Sequence, residues 1–140
     1  MSRLFLSSTF YDRELAELLE DALTSAGHTV FVDRGAVAAG SSWAETIRDE
    51  IEKADVFVVI VSRDSLSRDL AVGAEVGAAW GRRKRIVAIE ASDVSVADSL
   101  RLPRADYEVV SANGLSDSEL AAAIIEKAKT DATSAASQVH

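Results

Sequence analysis

An unbroken apolar run, Val56-Phe57-Val58-Val59-Ile60-Val61, lies near the centre of the sequence. Its residues are β-branched or aromatic and do not alternate with polar ones, which is typical of a parallel strand covered on both faces. A second apolar segment follows and is rich in small residues, Ala71-Val72-Gly73-Ala74-Glu75-Val76-Gly77-Ala78-Ala79. Together the two segments predict a buried strand followed by a helix that packs on it.

The same alternation of strand and helix extends in both directions from this centre. Strands are predicted at 3–8, 29–33, 56–61, 85–90 and about 107–110, and helices at 11–26, from Ser41 or Ser42 to about Lys53, around Glu75, and at 115–129. Such alternation predicts an α/β domain with a three-layer flavodoxin-like fold and a five-stranded parallel sheet in the order 2-1-3-4-5.

The length of 140 residues is that of one domain with its own core. We assign residues 1–130 to this domain. The small, polar segment 131–140 is predicted to be a disordered tail or a linker to another domain.

Composition excludes several classes of function. A net charge of -8, from 15 basic and 23 acidic residues, argues against direct nucleic-acid binding, and the basic cluster Arg82-Arg83-Lys84-Arg85 is predicted to be a solvated helix end. There is no cysteine, and neither of the two histidines has a partner at ligand spacing, so no metal site is predicted. No Walker or dinucleotide glycine fingerprint is present, and no resident cofactor is predicted. No segment is apolar enough to span a bilayer, so no membrane partner is expected, and a cytoplasmic location is compatible with the lack of cysteine.

The predicted strand order opens a crevice between the carboxyl ends of the first and third strands. Ser7, Ser8, Thr9 and Phe10 are expected on one side of this crevice, and Ser62 on the other. These residues are candidates for substrate binding. Capping of the first helix, by Thr9 or Asp12, is an equally good explanation of the polar residues after strand one.

Glu75 is a lone carboxylate in a helix that otherwise looks buried. Carboxylates are almost never fully buried unless they are paired. One explanation is an ion pair with Arg63, Arg68 or another base, and the other is a catalytic group that faces a ligand. Arg34 and Trp43 are weaker substrate-binding candidates, because a solvated loop charge and a half-buried aromatic at a helix start explain them as well.

Several segments, in the correct order over roughly the first 90 residues, resemble a Toll/interleukin-1 receptor (TIR) domain of the bacterial type. They are Leu4-Phe5-Leu6-Ser7-Ser8, Val30-Phe31-Val32-Asp33 with the loop to Gly40, Gly40-Ser41-Ser42-Trp43-Ala44-Glu45-Thr46-Ile47, Asp55 to Ser62 with Ser65-Leu66, and Ala74-Glu75-Val76-Gly77-Ala78-Ala79. The resemblance implies an NAD+ glycohydrolase or ADP-ribosyl cyclase with Glu75 as the catalytic residue and NAD+ as substrate. It further implies self-association through TIR–TIR contacts, a fused or separate sensor domain, and a role in anti-phage defence or NAD+ depletion.

Three positions depart from the family pattern. Ala71 stands where many catalytic members have tryptophan, Ala39 where a loop proline is frequent, and Ser8-Thr9 where an aromatic and basic pair is common. The departures at Ala71 and Ser8-Thr9 favour an alternative function as a non-catalytic TIR scaffold. A weaker alternative is an enzyme similar to nucleoside deoxyribosyltransferases, which share the layered fold and a catalytic glutamate.

Overall fold

The computed structural model describes residues 2–9, 12–33, 41–62, 70–91, 94–96 and 100–138, with the backbone alone at 41–43, 70–71 and 130–138. Five strands are present in this part of the chain: β1 (Arg3–Ser7), β2 (Thr29–Val32), β3 (Val56–Val61), β4 (Arg85–Glu90) and β5 (Tyr107–Ser111). The same part of the chain contains four α-helices, α1 (Arg13–Ser25), α2 (Ser41–Lys53), α3 (Leu70–Gly81) and α4 (Asp117–Gln138), and a 3-10 turn at Arg104–Asp106.

The five strands form one sheet in the order β2-β1-β3-β4-β5. Every neighbouring pair is parallel. This confirms the predicted fold class and strand order. Because all strands run the same way, their carboxyl ends share one edge of the sheet, and their amino ends share the opposite edge.

Alternate residues of the strands point to opposite faces of the sheet and make two hydrophobic layers. On one face, residues such as Leu6 and Ile60 pack against helices α1 and α4. On the other face, residues such as Phe57 and Val59 pack in one cluster with Ile51 of α2 and with helix α3. All six residues of β3 are buried, as its apolar sequence predicts for a strand covered on both sides.

Strands β3 and β4 have the predicted bounds, whereas the last helix is longer than predicted. Helix α4 runs to Gln138, beyond the predicted end at Lys129. Ala132, Ala135 and Ala136 are strong helix formers, and this composition explains the extension. The assignment of 131–140 to a tail or linker outside the domain stays a prediction.

Candidate active site

Glu75 lies on the inner face of helix α3. The buried residues of this helix include Val72, Val76 and Ala79, which recur at the spacing of a single helix face. Glu75 shares that face and is only 5% exposed. Helix α3 therefore carries a carboxylate into the same layer as its apolar side chains.

Ser7 meets this carboxylate from the sheet. It is the last residue of β1, it is fully buried, and its hydroxyl donates a hydrogen bond of 2.6 Å to Oε1 of Glu75. Hydrogen bonds to a carboxylate are shorter and stronger than those between neutral groups. The contact fixes the orientation of Glu75 at the carboxyl end of the sheet. The alternative partners Arg63 and Arg68 lie outside the described residues.

Asp12 organises a second polar cluster at the same edge. One of its oxygens, Oδ2, accepts hydrogen bonds from the hydroxyls of Ser62 at 2.6 Å and Thr9 at 3.0 Å. Asp12 also stands at the N-cap position of α1, but its side chain makes no capping bond there. The cluster therefore links the turn after β1 to the end of β3. Of the two capping positions considered, Asp12 is the one at the N-cap, but its side chain binds the two hydroxyls and does not cap the helix.

The two polar groups lie at different depths. Ser7 is in register with Val59 of β3, whereas Ser62 follows the end of that strand. With a rise of about 3.3 Å per residue, Ser62 is displaced roughly 10 Å along the strand direction from the level of Ser7. Asp12 and Ser62 are half-buried while Ser7 and Glu75 are buried. The site thus has a buried carboxylate, Glu75, and a second polar cluster further out in which Thr9 is buried and Asp12 and Ser62 are half-buried.

The remaining predicted site residues are Ser8, Phe10, Arg34 and Trp43, and of these the structure describes the side chain of Ser8 alone. Ser8 is half-buried between Ser7 and the buried Thr9. Phe10 and Arg34 lie outside the described residues, and for Trp43 the description is limited to the backbone within α2.

Sequence reasoning missed Asp12 as a site residue and gave no role to Asp33, an acidic residue near the same edge. Asp12 was considered only as a helix cap, and Asp33, which is buried just after β2, only as the end of a strand. Each is the first acidic residue after a strand whose carboxyl end the predicted topology places at the ligand-binding edge of the sheet. That position in the sequence could have indicated both residues.

Within the described ranges, no group of three or more histidine, cysteine, aspartate or glutamate residues could hold a metal ion. In the same part of the chain, no helix is long and apolar enough to cross a membrane. What the site offers chemically is a fixed carboxylate, three serine or threonine hydroxyls in hydrogen bonds and a second carboxylate, Asp12.

Comparisons with solved structures agree with this fold. The TIR domain heterodimer of RPS4 and RRS1 is 17% identical, with a TM-score of 0.63 over 92% of this chain and 97% of that chain. The CMP N-glycosidase BcmB of Clostridium botulinum is 16% identical, with a TM-score of 0.62 over 89% of this chain and 98% of that chain. At such identities, these likenesses concern the fold alone.

The family assignment comes from sequence. None of the curated proteins matches the chain. The profile of the TIR domain family, however, matches residues 4–127, which is most of the chain and contains every described residue of the candidate site. The chain therefore belongs to the TIR domain family.

Proposed function

We propose that this TIR domain is an NAD+ glycohydrolase or ADP-ribosyl cyclase in which Glu75 is the catalytic carboxylate. The observation that carries the proposal is the placement of Glu75. It is a buried carboxylate on an otherwise apolar helix face, held by the Ser7 hydroxyl at the carboxyl end of the sheet. Open α/β sheets bind their ligands at that edge, next to the point where the strand order reverses.

The reaction requires little more than a well-placed negative charge. The bond between C1′ of the ribose and the nicotinamide nitrogen breaks, and its electron pair neutralises the pyridinium, so nicotinamide leaves as a neutral molecule. A positive charge then develops on the ribose, which a fixed carboxylate stabilises. Water adds to C1′ and releases a proton to give ADP-ribose, or a nucleophile within ADP-ribose attacks instead and gives a cyclic product.

The leaving group makes NAD+ a less demanding substrate than an ordinary nucleotide. Cytosine or another neutral base leaves well only if a general acid protonates it. Nicotinamide in NAD+ needs no such acid, because it already carries the positive charge. Because a CMP N-glycosidase has a similar fold, CMP is an alternative substrate to include in any assay, together with a deoxynucleoside.

Activation by self-assembly is part of the proposal. With Glu75 only 5% exposed, a substrate needs a rearrangement at the crevice before its ribose meets the carboxylate. A contact from a neighbouring subunit is one physical means of stabilising the open arrangement. The cytoplasmic location, the sensor domain and the role in defence or NAD+ depletion rest on family membership and stay predictions.

A second candidate function is a non-catalytic interaction module. It is favoured by Ala71, where a stacking tryptophan is common in catalytic members, and by the small exposure of Glu75. Base stacking on an aromatic side chain is worth about 1–3 kcal/mol, so its loss would weaken substrate binding. The RPS4 and RRS1 TIR domains form a heterodimer, which is an example of such an interaction.

The test is an NAD+ cleavage assay over a series of protein concentrations, with products separated by chromatography. Glu75→Gln keeps the size of the side chain and removes its charge, and it is expected to reduce the rate by about 100-fold or more. The matched control is Glu126→Gln, the same substitution at an exposed position of α4. CMP and a deoxynucleoside are assayed alongside NAD+.

Cleavage of NAD+ that rises steeply with protein concentration and is lost in Glu75→Gln alone would support the whole proposal. Full activity of a monomer, established by sedimentation, would refute the assembly part. If none of the substrates is cleaved at any concentration, the interaction module becomes the better explanation. Turnover of CMP or the deoxynucleoside without NAD+ cleavage would assign the site to a nucleoside-cleaving enzyme.

A further inference from the structure

A cavity of about 570 Å³ opens at the edge of the sheet opposite to Glu75. It lies where α3 ends and β4 begins, next to the 3-10 turn, and its lining includes Trp80, Arg83, Lys84, Arg85 and Asp106. This volume lies within the usual range for small-molecule sites, about 300–1,000 Å³. Three cations and one carboxylate among these residues give the cavity a positive character, in a chain whose net charge is -8.

Trp80 supplies an aromatic surface to this cavity. It is 44% exposed, whereas most of the large apolar side chains that the structure describes are buried. Its indole Nε1–H donates a hydrogen bond of 2.8 Å to Oδ2 of Asp106. This bond satisfies the polar edge of the ring and holds its plane, and a held, partly exposed ring is suited to stacking with another aromatic ring.

The turn after α3 holds Arg83 beside Trp80 in an unusual backbone conformation. The N–H of Arg83 donates to the carbonyl of Trp80 at 3.0 Å, and that of Lys84 to the carbonyl of Ala79 at 3.0 Å. These two bonds define a Schellman motif, in which the residue after the helix is left-handed and usually glycine. Arg83 occupies that position with a φ of 57°.

The end of α1 is an internal comparison for this turn. There the same pair of bonds forms, from Gly27 to Thr24 at 3.0 Å and from His28 to Leu23 at 3.1 Å, and the left-handed position is a glycine with a φ of 96°. Glycine adopts this conformation without steric cost, whereas for an arginine the same conformation has a steric cost. An unfavourable backbone conformation that persists is a reason to look for a function of the side chain.

The other basic residues of the cluster are partly engaged elsewhere. Arg82 forms an ion pair with Glu52 at the end of α2, and Nζ of Lys84 donates to the backbone carbonyl of Glu52. This segment was predicted to be a solvated helix end. Arg82 fits that prediction in part, because it is exposed but also forms an ion pair, whereas Lys84 binds the last turn of a neighbouring helix. Arg83 lines the cavity together with Trp80 and is exposed, whereas Lys84 and Arg85 are half-buried.

From these observations we propose that the cavity binds a nucleoside phosphate, with the base against Trp80 and the phosphate at Arg83. Stacking on an aromatic ring and bidentate binding of phosphate by a guanidinium are the two interactions that such a ligand needs. The Asp106 carboxylate can in addition accept a hydrogen bond from an amino group of the base. The site is separate from Glu75 and does not depend on the proposed catalytic activity.

The experiment uses Trp80 as its own reporter. Because the chain has two tryptophans, Trp43→Phe leaves Trp80 as the single tryptophan, and its fluorescence is followed during titration with AMP, adenosine and inorganic phosphate. We expect saturable quenching by AMP, with at least tenfold weaker responses to adenosine and to phosphate. If the Trp43→Phe variant does not fold, two-dimensional NMR of the Trp80 indole N–H in the native chain, assigned through Trp80→Phe, replaces it.

Arg83→Gly separates binding from folding. Glycine suits the left-handed turn, so thermal stability should stay unchanged or rise, while affinity for AMP falls at least tenfold. Arg82→Ala removes the same charge one residue away, outside the cavity lining, and should change the affinity less than twofold. Equal responses to AMP and phosphate, an affinity unaffected by Arg83→Gly, or a signal that follows protein concentration instead of ligand would each overturn the proposal.

Discussion

The hydrogen bond between Ser7 and Glu75 yields a quantitative prediction for the variant Ser7→Ala. This substitution removes the hydroxyl that donates to Glu75 at 2.6 Å, in a place where both residues are buried and water has little access. We expect the free energy of unfolding to fall by about 1.5–3 kcal/mol, the usual contribution of a hydrogen bond to a charged group. A domain of this size remains folded after such a loss, because total stability is about 5–15 kcal/mol.

A double-mutant cycle isolates the pair. In Glu75→Gln the acceptor remains but carries no charge, so the bond from Ser7 is then worth only about 0.5–1.5 kcal/mol. Ser7→Ala should therefore cost about 1 kcal/mol more in the native chain than in the Glu75→Gln background. Glu75→Gln alone is expected to leave stability unchanged or to increase it, because it removes a buried charge.

Urea denaturation of the four proteins, followed by circular dichroism, measures this coupling. Ser111→Ala is the matched control, since Ser111 also ends a strand but is exposed, and it should change stability by less than about 0.5 kcal/mol. If the effects of Ser7→Ala and Glu75→Gln add within about 0.5 kcal/mol, the hydrogen bond carries no charge-dependent energy. The idea that Ser7 holds the Glu75 carboxylate would then have to be abandoned.

Three further predictions concern stability. Asp12→Ala removes the shared acceptor of two hydroxyls and should lower the free energy of unfolding by about 1–3 kcal/mol in urea denaturation, whereas Asp12→Asn, which keeps an acceptor, should lower it less. Phe57→Ala empties a fully buried position and should cost about 3–5 kcal/mol by the same assay, far more than Leu18→Ala at an exposed one. Hydrogen bonds from Ser116, first from its backbone N–H and then from its hydroxyl, lower the pKa of Glu119 below its usual value of 4.5. The contribution of Glu119 to stability is therefore present above pH 4.5 and is lost as the pH falls through the lowered pKa. Thermal melts across this pH range should lose that dependence in Glu119→Gln.

The elements that were predicted correctly are those with a strong local pattern. The apolar run of β3 and the segment Arg85–Glu90 have the bounds expected of them, since buried strands are uninterrupted and end at polar residues. At the start of the last helix, the N–H of Ser116 donates to Oε1 of Glu119 at 2.8 Å and the N–H of Glu119 donates to the Ser116 hydroxyl oxygen at 3.2 Å, which is the reciprocal pattern of a capping box. Helix ends were less predictable because alanine-rich polar sequence, such as that around Ala135, fits a helix and a tail equally well.

Local pattern also identified Glu75 as unusual but did not name its partner. The sequence indicates a carboxylate in an apolar helix, and it offered the nearby Arg63 and Arg68 as candidate partners. The contact with Ser7 joins residues 68 positions apart in the chain, and it arises from the packing of α3 on the sheet beside β1. The same holds for Asp12 and Ser62, which are 50 positions apart.

By itself, the sequence determined the α/β class, the order of the strands and the edge of the sheet at which the polar residues gather. Those features follow from hydrophobic periodicity and from the chain connections that parallel strands require. Only the tertiary structure decided which hydroxyl holds which carboxylate, how deeply Glu75 is buried, and that Trp80 and Arg83 share a cavity at the opposite edge. These depend on distances between side chains far apart in sequence, which are set by how the helices pack on the sheet.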